Sequence, residues 1–176
     1  FLCGAGVSKQ VALPLFDELT ELVYQALGET RGNDPAERNA FDRAEYDRVL
    51  RSLEKRTHRP GTPSRVRIAV AKILAEKNNV AVLNHLALLQ LSRDAEGRPK
   101  LLTTNFDTLF EHAARAAGLD VPSHAVKSIP KPGGTRDYGI LHLHGRIGDD
   151  ELELDETELV LTSADFGDAY LRDGWA

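Results

Sequence analysis

Leu101-Leu102-Thr103-Thr104-Asn105-Phe106-Asp107 is a short apolar run that stops abruptly in polar residues. A strand that ends this way delivers side chains to a cleft. In open α/β sheets ligands sit at the carboxyl ends of the strands, so Thr103 to Asp107 would stand where a small molecule is bound. Two other stretches are candidates to meet it there: Gly4-Ala5-Gly6-Val7-Ser8 near the start and His142-Leu143-His144-Gly145 towards the end.

Upstream, Phe1 to Cys3 reads as the last part of a strand, and the glycine turn follows it. Pro14 suits a first helical position, and Phe16, Leu19, Leu22, Val23, Ala26 and Leu27 then recur at helical spacing up to Gly28. Strand end, glycine turn and helix make the first half of a βαβ unit. The segment from about 29 to 92 reads as a helical insertion: one helix from Pro35 to Arg56, one capped by Ser64 and carrying Val66, Val70, Ile73 and Leu74, and one from Asn79 to Leu91. Downstream, Thr108 to Ala117 predicts a helix stopped by Gly118, and Val121 to Ile129 contains a short strand. The loop Pro130 to Gly134, with Lys127, Lys131 and Arg136 around it, is mildly basic. Ile140 to His144 alternates as a strand ending at Gly145, with His142 and His144 on one face. Asp149 to Glu158 is an acidic run without calcium-loop spacing, and Ser163 is placed to cap a last helix carrying Phe166 and Tyr170. The expectation is an α/β, Rossmann-like parallel sheet with a helical insertion, in one domain over residues 1–176. Its first and last residues read as an excerpt of a longer protein, with C-terminal strands missing.

Composition narrows the classes. The 176 residues are 41% hydrophobic and 28% charged, ordinary for a soluble globular domain, and no apolar run approaches the length of a membrane span. A net charge of -5 argues against direct nucleic-acid binding, which calls for a basic face. Cys3 is the single cysteine, so no internal disulfide or cysteine zinc cage can form, and a reducing, cytoplasmic compartment is the simpler expectation.

Each of the three stretches has a functional and a structural reading. Gly4 and Gly6 let a backbone approach a pyrophosphate beside a helix N-terminus, but Lys9 stands where the third glycine of the dinucleotide fingerprint would be, and a plain turn fits as well. Asn105 offers donor and acceptor to a ligand, or bonds its own backbone in a turn. Asp107 can cap the next helix and orient a neighbour at once. The His144 imidazole suits proton transfer near neutral pH, or serves structure. His142-x-His144 resembles half a metal site with no recognisable further ligand.

Taken in order, Gly4-Ala5-Gly6-Val7-Ser8, Thr104-Asn105-Phe106-Asp107 and Leu143-His144-Gly145 resemble the signature of the sirtuin-like superfamily. That resemblance implies NAD as the ligand, bound by Gly4, Ala5, Gly6, Ser8, Thr104 and Asp107, with Asn105 positioning a water at the ribose and His144 acting on ribose hydroxyls as the catalytic pair. The paired zinc cysteines of protein-deacylating sirtuins are absent, so no zinc is expected. Ala12-Leu13-Pro14-Leu15-Phe16-Asp17 departs from their segment after the glycine loop, and Thr104 replaces their glutamine. The chain looks more like the bacterial sirtuin-like domains of anti-phage defence, which hydrolyse NAD and are fused to or partnered with sensor modules such as Argonaute-like or ATPase proteins. A homo-oligomer is part of the same expectation. NAD-dependent protein deacylation and a non-catalytic module that binds NAD or ADP-ribose remain as alternatives.

Overall fold

Four short strands form one parallel sheet: β1 (Leu2–Cys3), β2 (Lys100–Thr103), β3 (Ser123–Ala125) and β4 (Gly139–His142), in the order β1-β2-β4-β3. The computed structural model describes residues 1–32, 34–75, 82–125, 128, 130–147 and 159–172. Strand β2 lies between β1 and β4, with Leu102 opposite Leu2 and Leu141, and Thr103 opposite Cys3 and His142. Helices join β1 to β2 and β2 to β3, and the parallel sheet with its helices is the Rossmann-like α/β arrangement expected of such a sequence.

Between β1 and β2 the chain forms α1 (Gly6–Lys9), α2 (Phe16–Leu27), α3 (Pro35–Asp42), α4 (Tyr46–Thr57), α5 (Arg65–Ala75) and α6 (Leu83–Leu91). After β2 come α7 (Leu109–Ala116) and, beyond β4, α8 (Ser163–Gly167), which runs into a π-helical turn at Asp168–Arg172. Gly28 closes α2 in the left-handed region at φ 64°, a conformation that costs glycine little. Among the described residues no helix is long and apolar enough to cross a membrane.

Several boundaries differ from the sequence expectation. The glycine turn does not enter the long helix directly, because one turn of helix, α1, intervenes. The helix expected over Pro35 to Arg56 is two, broken at Ala44, a non-glycine residue with φ 57°. Phe41 and Tyr46 on either side of the break pack edge to face, centroids 5.7 Å apart, so the bend is compensated by aromatic contact. Strand β4 ends at His142, two residues early, and Leu143 and His144 lie in a turn. Thr162, not Ser163, is the N-cap residue of α8, and its N–H and hydroxyl both donate to Asp165 Oδ2, at 2.8 and 2.9 Å. Tyr170 falls in the π-helical turn rather than in α8. The acidic run at 149–158, Lys127 and the start of the helix expected from Asn79 lie outside the described residues.

Two apolar clusters support this arrangement. Leu19, Val23, Val49, Leu50, Leu53, Val66 and Val70 join α2, α4 and α5, and Ile147, Leu159 and Leu161 pack into the same cluster. Cys3, Leu101 and Ile140 from three adjacent strands pack against Leu89 of α6 and Phe110 and Ala114 of α7. Burying one such leucine or valine contributes about 1.5–3 kcal/mol. Buried charge is fully bonded in the helical layer: Glu37 accepts from Tyr24 Oη, Gly32 N–H and Ser52 Oγ at 2.7–2.8 Å. Arg67 reaches Glu54 at 2.9 Å, the Leu159 carbonyl at 2.8 Å and Asp165 at 2.6 Å.

Candidate functional site

The alternation of β2 outlasts its hydrogen-bonded ladder. Leu101, Thr103, Asn105 and Asp107 are buried, while Leu102, Thr104 and Phe106 are only half-buried. Neighbouring segments hold the extension: Thr104 N–H donates to the Cys3 carbonyl at 3.1 Å, Leu143 N–H to the Thr103 carbonyl at 2.8 Å and Ile147 N–H to the Phe106 carbonyl at 2.8 Å. Polar side chains are thereby driven into the interior at the carboxyl end of the sheet.

Ser8 is the hub of the network that results. As a carboxylate, Asp107 only accepts, so the Ser8 hydroxyl must donate its one proton to Asp107 Oδ2 at 2.9 Å. Only lone pairs then remain on Ser8 Oγ. The Asn105 contact at 3.0 Å is therefore from its amide Nδ2, and the His85 contact at 3.3 Å is from a protonated Nε2. Asn105 is consequently oriented with its amide nitrogen inward and its Oδ1 on the other side, buried and without a hydrogen-bond partner among the described residues. His85 Nδ1 is likewise a buried lone pair without a partner. Burial lowers the His85 pKa, against a raising pull from Asp107, which agrees with a neutral ring. The second oxygen of Asp107 accepts from Leu109 N–H at 3.2 Å, so this residue both starts α7 and holds Ser8.

A second buried group lies behind Asn105. His142, fully buried, meets the Asn105 carbonyl through Nδ1 at 3.1 Å and Glu111 Oε1 through Nε2 at 2.7 Å. Ser123 Oγ also donates to Glu111 Oε1. Burial alone would raise the Glu111 carboxyl, but the His142 hydrogen bond and charge, with Ser123, outweigh it and hold the group below its ordinary value. Both ring nitrogens of His142 are thus engaged within the protein.

His144 stands apart from this network. Its half-buried ring faces Phe166 edge-on, centroids 5.1 Å apart, and Tyr170 at 6.3 Å, while those two rings stack on each other. Desolvation lowers its pKa, so the neutral imidazole persists at neutral pH. The His144 carbonyl accepts from Val160 N–H at 2.9 Å. Of the residues expected at the site, Ser8 joins Asn105, expected as catalytic, to Asp107, expected to bind, Thr104 neighbours Gly4, and Gly4 to Gly6 lead into α1, which carries Ser8. A Cβ placed on Gly6 would meet nothing within 4 Å, and one on Gly4 would meet only Thr104 Oγ1 at 3.6 Å. Neither glycine has the positive φ that demands glycine, so the fold itself does not require them.

Sequence reasoning missed His85 and Glu111, and read His142 only as half of a metal site. The available signal for His85 was one imidazole within the apolar run Leu83 to Leu91. For Glu111 there was none, since an acid in the first turn of a helix is ordinary.

Residues 99–176 match the SIR2-like domain family, a stretch that carries Asn105, Asp107, Glu111, His142 and His144 but not the glycine loop or His85. Over 180 aligned residues the whole chain is 48% identical to the uncharacterized protein y4cA of Sinorhizobium fredii (strain NBRC 101917 / NGR234), of which it spans 14% of the length. Over that stretch the match supports a relationship to the sirtuin-like superfamily.

Proposed function

We propose that this chain forms the NAD site of a glycohydrolase that cleaves the nicotinamide–ribose bond, consuming water and releasing nicotinamide, ADP-ribose and a proton. The observation that carries this reading is Asn105 Oδ1, a buried acceptor without a partner among the described residues, on an amide whose nitrogen is tied to Ser8. Such an oxygen can accept a hydrogen from a water aimed at the sugar carbon. As nicotinamide leaves, that carbon gains oxocarbenium character, and orientation counts for more than nucleophile strength. His144, neutral because it is desolvated, is suited to take a hydrogen bond or proton from a ribose hydroxyl. Gly4, Ala5 and Gly6, with Thr104 beside them, would receive the pyrophosphate, since the glycines leave open space where side chains would stand.

Lack of a second cysteine supports hydrolysis over zinc-supported protein deacylation. The role of an NAD-depleting effector joined to sensor modules in an anti-phage system is proposed from the resemblance of the three motifs. The test is nicotinamide release by the full-length protein with NAD, with and without an acyl-lysine peptide. Release without peptide, reduced on the order of 100-fold or more by Asn105→Ala, is expected. Strict dependence on peptide would replace the reading with deacylation, and undiminished release by Asn105→Ala would remove Asn105 from it.

A further inference from the structure

Asn105 has four polar atoms, and three of them are held from three different parts of the chain. Its N–H donates to Thr103 Oγ1 at 3.0 Å, its Nδ2 to Ser8 Oγ at 3.0 Å, and its carbonyl receives His142 Nδ1 at 3.1 Å. Only Oδ1 is open. The first two contacts come from the end of β2 and from α1. The third comes from β4, and it continues outward: His142 Nε2 is held by Glu111 of α7, and Glu111 by Ser123 at the start of β3.

A carbonyl only accepts, so His142 Nδ1 carries a proton there. A further proton lies between Nε2 and Glu111 Oε1, and a carboxylate holds the ring in one orientation through it. An apolar residue would fill the same space between β2 and β4 without desolvating charge, and a buried pair is weak evidence for stability by itself. What this pair supplies is direction, because a ring pinned at both nitrogens fixes the position of the Asn105 peptide.

We propose that His142, oriented by Glu111 and Ser123, is a positioning residue that aims Asn105 Oδ1 into the reaction site. This rests on the reading of Asn105 as the water-holding group. Displacement of such a group by about 1 Å is enough to lower a rate on the order of 100-fold, so the effect falls on turnover and not on NAD binding.

Asparagine and glutamine at position 142 separate the two ring contacts. In His142→Asn the amide nitrogen stands near the place of Nδ1 and can still donate to the Asn105 carbonyl. In His142→Gln the donor stands near the place of Nε2, reaches Glu111 and leaves the carbonyl alone. Nicotinamide release by full-length wild type, Asn105→Ala and both variants is measured with thermal midpoints. The expected result is kcat within a few-fold of wild type for His142→Asn, a fall on the order of 10- to 100-fold for His142→Gln, KM unchanged in both, and similar midpoint losses. Glu111→Gln should retain more turnover than Glu111→Leu. If His142→Gln turns over as fast as His142→Asn, or if kcat follows the thermal midpoint alone, His142 is structural and the proposal is overturned. An Asn105→Ala protein as active as wild type would instead overturn the assignment of Asn105.

Discussion

The Ser8 hydroxyl donates to Asp107 Oδ2 over 2.9 Å, joining residues 99 positions apart. That bond decides which way Asn105 and His85 present their polar atoms, since it leaves Ser8 only lone pairs for them. Ser8→Ala should therefore strand two buried donors and one carboxylate oxygen together. A loss of about 1–3 kcal/mol in urea unfolding is expected, with a larger proportional loss of nicotinamide release. Full activity in Ser8→Ala would mean that Asn105 does not depend on Ser8 for its orientation.

Gly6→Ala distinguishes a structural turn from a ligand cradle. Open space surrounds the added methyl and α1 has ordinary helical φ, so stability should hold or rise by up to about 1 kcal/mol. NAD affinity, read by calorimetry on the full-length protein, should fall on the order of tenfold or more, equivalent to about 1.4 kcal/mol. Unchanged affinity would return Gly6 to the status of a turn residue.

Gly139→Ala should behave in the opposite way. Its Cβ would stand 2.2 Å from the Pro122 carbonyl oxygen, at φ 114°, on the residue that begins β4. Clash and backbone strain together cost about 2–5 kcal/mol, and the soluble yield should drop accordingly. A wild-type thermal midpoint would show that β4 can start elsewhere.

Stability should fall in mild acid through His85 and His144. Burial holds both below the ordinary histidine value of about 6.5, in His85 against the opposing pull of Asp107. The unfolded chain takes up protons near that value and the folded one only at lower pH. In between, the unfolded state binds more protons, so stability is fully present above the ordinary value and is lost as pH falls towards the lowered one. Urea midpoints at pH 7.5 and 5.5 should differ in that sense, and His144→Asn should shrink the difference. An equal drop in the variant would exclude His144 as a contributor.

Glu37 tests the helical layer separately from the site. Burial would raise its pKa, but Gly32 N–H, the Tyr24 and Ser52 hydroxyls and Arg56 outweigh it and keep the carboxylate charged. Glu37→Ala removes the common acceptor and should cost on the order of 3 kcal/mol in chemical denaturation. A change below 0.5 kcal/mol, about the usual range of a surface substitution, would contradict the bonded role of Glu37.

Periodicity and chain order made the sheet legible. Leu101 to Asp107 could be read as a strand delivering polar residues because its alternation is local, and Asp107 as both cap and support because a carboxylate has two oxygens. The break at Ala44 was invisible, since an alanine in the left-handed region follows from how Phe41 and Tyr46 pack and not from local preference. His85 and Glu111 were hidden for a similar reason. Their partners, Ser8 and His142, lie 77 and 31 positions away, and nothing in a helical stripe announces which polar residue on it will face another element.

Arg67 belongs to α5, yet two of its partners, the Leu159 carbonyl and the Asp165 carboxylate, belong to the segment that brings Phe166 against His144. The imidazole travels with the sheet through β4, whereas the aromatic wall in front of it is anchored by side chains to the helices and meets the sheet side through the Val160–His144 backbone bond. Ring and wall therefore answer to different layers of the molecule, and the fit between them registers how those layers sit on one another.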